Sequence, residues 1–309
     1  MENKKKYPGI AKSFFLLALF YVIYLASVFI ISFALEFFEI FIAKFRGEDV
    51  DLFTLEQGTE IFTEYSAFIS AIVIIVPTII IARIILQKRE TTLKDLLLKN
   101  IDKVNGKLLL MLGITTFVFI LFTSYTSSII MIIFDLSEAF LERAETMIDV
   151  RGLQGLFLLL IVAPIAEEIL FRGLFLEGIA SQHSQKVAIL VSAFMFSLYH
   201  MNLLQTLHTF ILGLFLAYVY LKTRSLVLCI YIHFVNNFFP YIISHLQIPE
   251  ELAGETEMSM TITTPELMFY AFIIIILIYC LMYLNNYFKN QENDIDDDSF
   301  DDEGSNIVI

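Results

Sequence analysis

Two adjacent carboxylates and an arginine lie in the middle of a long apolar run. Residues 161–180 read IVAPIAEEILFRGLFLEGIA and hold Glu167, Glu168 and Arg172 among aliphatic and aromatic side chains. An ionisable group at the centre of a spanning helix costs about 2.5–3.5 kcal/mol on insertion scales, so such groups usually pair or serve a site. The i,i+4 spacing of Glu168 and Arg172 predicts an ion pair on one helix face. Glu167 lies about 100° away around the helix and is left free, and Pro164 predicts a kink that opens room beside it.

Two later apolar runs also carry polar residues. The first contains the motif FSLYH, whose last residue is His200, and the second contains HFVNN, whose first residue is His233. His233 and Asn237 are spaced i,i+4 and therefore project from one face of a helix. Polar groups of this kind are not stable against acyl chains without partners. If their helices are neighbours, we expect Glu167, His200, His233 and Asn237 to converge in one polar cavity.

These residue types are suited to hydrolysis. A carboxylate beside a histidine can hold a water molecule and accept its proton. A second histidine with a carboxamide can donate hydrogen bonds to the oxyanion that forms on a scissile carbonyl. No serine or cysteine with a matched base stands out in the sequence, so water is the expected nucleophile.

The elements that must position these residues are membrane helices. The 309-residue chain is 58% hydrophobic with a mean hydropathy of +0.75, above the 45–50% or so of soluble domains. We predict an all-α polytopic membrane protein of about eight transmembrane helices enclosing a polar cavity, at about 14–35, 67–86, 108–134, 152–179, 187–204, 206–221, 226–246 and 267–287. The membrane domain is expected to cover 1–289, and the like-charge segment 290–309 to form an acidic disordered tail.

The distribution of basic residues predicts the orientation. Eight spans place both termini on one side, and that side holds 16 of the 20 lysines and arginines. The positive-inside rule then makes both termini cytoplasmic in a multi-pass protein of the cell membrane. The expected partners are membrane lipids and a peptide or membrane-protein substrate. No basic face for nucleic acid is visible.

The ordered motifs EExxxR, FxxxH and HxxxN, each on its own hydrophobic segment, resemble the CAAX-protease and bacteriocin-processing family, and within it the type II CAAX prenyl endopeptidases. The resemblance covers about residues 150–245 and implies an intramembrane endopeptidase of the glutamate type. It implies that Glu167 activates water with help from His200. It also implies that His233 and Asn237 stabilise the oxyanion, and that Glu168 and Arg172 form a supporting pair.

The resemblance leaves the cofactor open, because the family has also been described as metal-dependent. We expect no required cofactor and assign no metal ligand. Zinc is the alternative, with Glu167, His200 and His233 as its candidate ligands. The HExxH pair common in zinc proteases is not present in the sequence.

Two other functions are compatible with the same sequence. One is a non-catalytic bacteriocin-immunity or membrane scaffold protein, since the first three spans carry no motif. The other is a proton-coupled transporter that uses the buried carboxylates, although no inverted repeat is visible. Under the protease hypothesis, the substrate is a lipid-modified protein, a leader peptide or another membrane segment.

Overall fold

In a computed structural model, the structure describes residues 6–47, 56–134, 152–245 and 263–301. Throughout these residues the regular structure is helical and no strand occurs. The helices are α1 (Ile10–Phe45), α2 (Glu56–Arg89), α3 (Leu93–Leu98), α4 (Gly106–Phe134), α5 (152–180), α6 (Gln185–Tyr199), α7 (Leu203–Thr223), α8 (Leu226–His245) and α9 (Thr264–Asp301).

Seven of the helices in the described residues are long and apolar enough to cross a membrane, which confirms the predicted all-α polytopic fold. The exception among the eight predicted segments is the fifth. We predicted a span over 187–204, but α6 has only 15 residues and ends at Tyr199, so it is about 22 Å long, short of the roughly 30 Å hydrocarbon layer. The chain turns there because Met201 adopts a left-handed conformation with φ of +46°.

The helices group into two compact units. The described part of the first contains α1 to α3 and α5 to α8. Its core is built around α5, whose Phe171, Leu174 and Phe175 are fully buried. Helices α6 and α7 approach closely, since a Cβ added to Gly213 would lie 2.9 Å from the Cα of Ala193.

Helix α2 is tied to α5 by one arginine. Arg89 Nη1 donates to the carbonyl of Gly173 over 2.9 Å, and its Nη2 donates to the carbonyl of Leu174. Glu177 lies 3.4 Å from the same guanidinium and also pairs with Lys99. These contacts fix the end of α5 that follows the two carboxylates.

The described part of the second unit contains α4 and α9. Thr126 Oγ1 and Tyr270 Oη lie 2.9 Å apart, and the Tyr270 ring stacks on Phe122. Helix α9 continues to Asp301, through part of the segment predicted as a disordered tail. Residues 302–309 of that segment lie outside the described residues, and the predicted domain boundary at 289 stays a prediction.

Candidate active site

The helix that carries the two carboxylates is not a regular α-helix. Within α5, the α-helical segment Ala163–Glu168 lies between two π-helical segments, Leu158–Val162 and Ile169–Leu176. Pro164 lacks the backbone donor that an α-helix would use at this point, so the hydrogen-bond ladder must be rearranged around it. Such π-helical insertions are frequent at functional sites. They place Glu167 and Glu168 on a short α-helical turn in the middle of α5.

Glu168 and Arg172 form the buried ion pair that their spacing predicts. Arg172 Nη1 donates to Glu168 Oε1 over 2.9 Å, and both side chains are fully buried. The guanidinium also lies 4.3 Å from the centroid of the Phe196 ring. The pair therefore fixes α5 against α6, behind the face that bears Glu167.

His233 joins the same carboxylate. Its Nδ1 lies 2.8 Å from Glu168 Oε1, and its Nε2 lies 3.8 Å from Glu167 Oε2. A carboxylate accepts hydrogen bonds, so the contact assigns a proton to Nδ1. His233 thus connects the two glutamates, one through each ring nitrogen.

His200 stands at the end of α6 and is held by its own helix. Its Nδ1 lies 2.9 Å from the carbonyl oxygen of Phe196. A carbonyl only accepts, so Nδ1 carries the proton, and in the neutral ring the Nε2 lone pair is free. This Nε2 lies 3.9 Å from Glu167 Oε2.

Glu167 is the centre of this arrangement. Its Oε2 is buried and has no hydrogen-bond partner among the described residues, although an imidazole nitrogen lies 3.8–3.9 Å away on each of two helices. These separations exceed a direct hydrogen bond, which extends to about 3.2 Å. A small group that contacts all three atoms can occupy the space between them.

Two asparagines continue the polar network along α8. Asn237 Nδ2 donates to the carbonyl of Leu159 over 2.9 Å, and Asn236 Nδ2 donates to Asn237 Oδ1 over 3.1 Å. Leu159 belongs to the first π-helical segment of α5. Asn237 therefore donates one amide hydrogen to the irregular backbone of α5, and its second amide hydrogen can be donated to another acceptor.

All four candidate catalytic residues line one cavity of about 740 Å³. Its wall comes from five helices, α1, α5, α6, α7 and α8, with Ile74 of α2. The polar and aromatic residues in that wall are Phe20, Tyr21, Tyr24, Glu167, Phe196, Tyr199, His200, Gln205, His208, Thr209, His233, Asn236, Asn237 and Tyr241. The cavity is thus polar where the glutamate and histidines meet and aromatic on the side of α1.

Several residues of this wall were not predicted as part of the site, among them His208, Asn236 and Tyr21. His208 of α7 belongs to none of the sequence motifs, yet it lines the cavity close to His200 and His233. Asn236 does not share the i,i+4 spacing that joins Asn237 to His233, yet it also lines the cavity. Tyr21 of α1 lies far from every motif in the sequence, and its only signal is a second tyrosine, Tyr24, on the same face of the helix.

The distances around Glu167 can be compared with those of a zinc site. Glu167, His200 and His233 are chemically suitable ligands. A tetrahedral zinc ion with bonds of about 2.1 Å holds its ligand atoms about 3.4 Å apart, which is closer than the 3.8 and 3.9 Å found here. Within the described residues, no group of three or more histidine, cysteine or acidic residues has the geometry of a metal site. As placed, these side chains do not fit zinc.

One comparison with known proteins gives a match. The family model described as Rce1-like, type II CAAX prenyl endopeptidase Rce1-like, matches residues 150–239. This segment includes every candidate catalytic and supporting residue named above for α5, α6 and α8. No curated protein and no solved structure matches the chain significantly.

Proposed function

We propose that the chain is an intramembrane endopeptidase in which Glu167 and His200 activate water. The premise is that the chain belongs, through its Rce1-like segment, to the CAAX-protease and bacteriocin-processing family. Membership supports a membrane protease of the CAAX type in general terms. The observation that carries the finer proposal is the approach of two imidazole nitrogens, at 3.8 and 3.9 Å, to one buried oxygen of Glu167 that has no hydrogen-bond partner in the described part of the chain.

The nucleophile is a water molecule held between Glu167 and His200. Glu167 Oε2 and His200 Nε2 are both acceptors, and water has two hydrogens to donate. A water that gives one hydrogen bond to each side chain keeps its lone pairs free to attack a carbonyl carbon. The tautomer that the Phe196 carbonyl imposes on His200 is therefore the one that this role requires.

The reaction balances with these groups alone. As the water oxygen bonds to the carbonyl carbon, its proton passes to the Glu167–His200 pair. When the C–N bond breaks, the same proton passes to the departing nitrogen. The products are a carboxylic acid and an amine, and the pair returns to its starting state. The acid then gives its proton to the amine or to solvent.

Charge balance supports an oxyanion role for His233. The buried site holds two carboxylates and one guanidinium, so one further positive charge makes it neutral, and buried charges are tolerated only when they are balanced. A protonated His233 supplies that charge, with Glu168 accepting its Nδ1–H at 2.8 Å. Its Nε2–H is then a donor facing the cavity, where an oxyanion next to Glu167 would form.

Asn237 is the second donor in this proposal. It lies one turn beyond His233 on α8, and its carboxamide is fixed by the Leu159 carbonyl and by Asn236. A fixed donor loses no orientational freedom when charge develops. The substrate class supported by a cavity within apolar helices is a membrane-associated protein or peptide.

The test is cleavage by the full chain in lipid nanodiscs. The probes are synthetic peptides in which a farnesylated cysteine is followed by further residues, unmodified leader peptides and a single-span peptide, with new termini read by mass spectrometry. We expect the wild-type chain to cut at least one class. Glu167→Gln and His200→Ala should reduce turnover by about 10²–10⁴-fold while both variants stay folded.

Glu177→Gln is the matched control, because it changes a glutamate of the same helix that pairs with Arg89 and Lys99 outside the cavity wall. It should retain turnover. Equal cleavage by wild type and Glu167→Gln would contradict the proposal. A biological phenotype that survives Glu167→Gln would instead favour the non-catalytic immunity or scaffold function.

A further inference from the structure

We propose that Tyr21 of α1 is a positioning residue that holds His200 in place through the backbone carbonyl of Tyr199. The inference rests on the proposed function, since it concerns the same hydrolytic site. Tyr21 lies outside the segment that matches the family model. Its hydroxyl donates to the Tyr199 carbonyl, immediately before His200 in the chain.

The end of α6 explains why this hydrogen bond matters. The last four carbonyls of a helix lack intrahelical donors and must be satisfied in another way. Two of them accept backbone N–H groups: Ser197 from His200 over 3.3 Å, and Leu198 from Met201 over 3.1 Å.

The other two carbonyls accept side chains. The Phe196 carbonyl accepts His200 Nδ1 at 2.9 Å, and the Tyr199 carbonyl accepts the Tyr21 hydroxyl. The cap of α6 is thus shared between the catalytic histidine itself and a tyrosine from another helix. A change in the hydrogen bond of Tyr21 therefore alters the position of His200 through a single helical turn.

The C-terminal end of α6 is stabilised by few contacts within its own turn. Helices commonly end with glycine in the left-handed conformation, but here that conformation falls on Met201, with φ of +46°. The Met201 side chain is 76% exposed and so is held by few packing contacts. The turn that carries His200 therefore depends on contacts made by neighbouring helices.

Ring packing reinforces the same connection. The rings of Phe20 and Tyr21 lie 5.5 and 6.1 Å from the ring of Tyr199. The Tyr199 ring in turn meets the His200 imidazole edge-on at 5.5 Å. Tyr21→Phe keeps these ring contacts and removes only the donor, so it isolates the hydrogen bond.

Loss of the donor leaves the Tyr199 carbonyl unpaired and lets the turn shift. A displacement of about 1 Å in a catalytic group can reduce a rate by about 10²-fold. We expect Tyr21→Phe to lower kcat by about 10–100-fold with KM within about 2-fold, because the cavity wall is preserved. Incorporation of 4-aminophenylalanine at position 21 restores a donor at the same place and should recover most of the lost kcat.

The experiment uses the full chain in nanodiscs, with the peptides described above and ¹⁵N NMR of the histidine side chains. His200 is assigned from the spectrum of His200→Gln. Tyr270→Phe is the control, since it removes a similar hydroxyl contact, to Thr126, from the other unit. Tyr21→Phe should shift the His200 resonances, and Tyr270→Phe should change neither the resonances nor kcat.

The outcomes separate the two proposals. If the wild type cleaves and Tyr21→Phe keeps both kcat and the His200 resonances, the Tyr21 role is wrong while the protease function stands. A rise in KM alone would also overturn it, because Tyr21 would then act in substrate binding. If the wild type cleaves no peptide, the protease proposal fails, and the NMR comparison alone still decides whether Tyr21 positions His200.

Discussion

His233 Nδ1 lies 2.8 Å from Glu168 Oε1, within the range of a charge-assisted hydrogen bond. The same oxygen accepts Arg172 Nη1 at 2.9 Å, so a single carboxylate oxygen joins α8 to a charge pair inside α5. The arrangement resembles the way in which a buried carboxylate orients a catalytic histidine in hydrolases with a triad. Glu168 therefore serves both the fold and the orientation of the site.

This shared oxygen predicts strong coupling between Glu168 and Arg172. Removing one partner of a buried ion pair costs about 3–5 kcal/mol, whereas replacing both with uncharged groups costs much less. We expect Arg172→Met and Glu168→Gln each to lower the thermal unfolding temperature clearly. The double variant should be more stable than the sum of the single effects predicts. Strictly additive losses would mean that the pair is not coupled.

A second prediction concerns the close approach of α6 and α7. A Cβ at Gly213 would lie 2.9 Å from the Cα of Ala193 and 3.1 Å from its Cβ, and backbone cannot move aside cheaply. Gly213→Ala should therefore destabilise the protein by about 1–3 kcal/mol, as overpacking does. Gly106→Ala is the control, because nothing lies within 4 Å of its added Cβ. Thermal unfolding in one detergent compares the two, and equal unfolding temperatures would contradict the prediction.

A third prediction concerns zinc. The 3.8 and 3.9 Å separations around Glu167 Oε2 are wider than the ligand spacing of a tetrahedral ion. We expect purified protein dialysed against EDTA to keep its peptide cleavage and to hold substoichiometric zinc by elemental analysis. One zinc per chain, with cleavage lost on chelation and restored by zinc, would show that the side chains close around a metal.

A fourth prediction concerns orientation. From the charge distribution we predict that both termini lie in the cytoplasm. In a variant without native cysteines, a membrane-impermeant maleimide applied to intact cells should label Lys44→Cys but not Lys12→Cys or Lys222→Cys. Lys12 and Lys44 are exposed near opposite ends of α1. Cell lysis should make all three positions reactive, and the opposite pattern in intact cells would reverse the orientation.

Much of the fold could be predicted because membrane helices are specified locally. Runs of about 20 apolar residues must form helices in lipid, where each backbone group needs a partner within its own segment. The Glu168–Arg172 pair follows from helix periodicity in the same way. The short fifth segment could not be predicted, because its end depends on a left-handed backbone conformation at Met201, which this residue type does not indicate.

The sequence by itself determined the membrane helices, the Glu168–Arg172 pair and the residue types available for hydrolysis, because each depends on composition or on spacing within one helix. Only the tertiary structure decided that His233 forms a hydrogen bond with Glu168 as well as sharing a helix face with Asn237. It also decided that His208 and Asn236 line the same cavity, and that the Tyr21 hydroxyl contacts the residue before His200. These contacts depend on which helices are neighbours and how each is rotated about its axis. That rotation is set by packing and, in α5, by two π-helical segments that change the direction of every side chain after them.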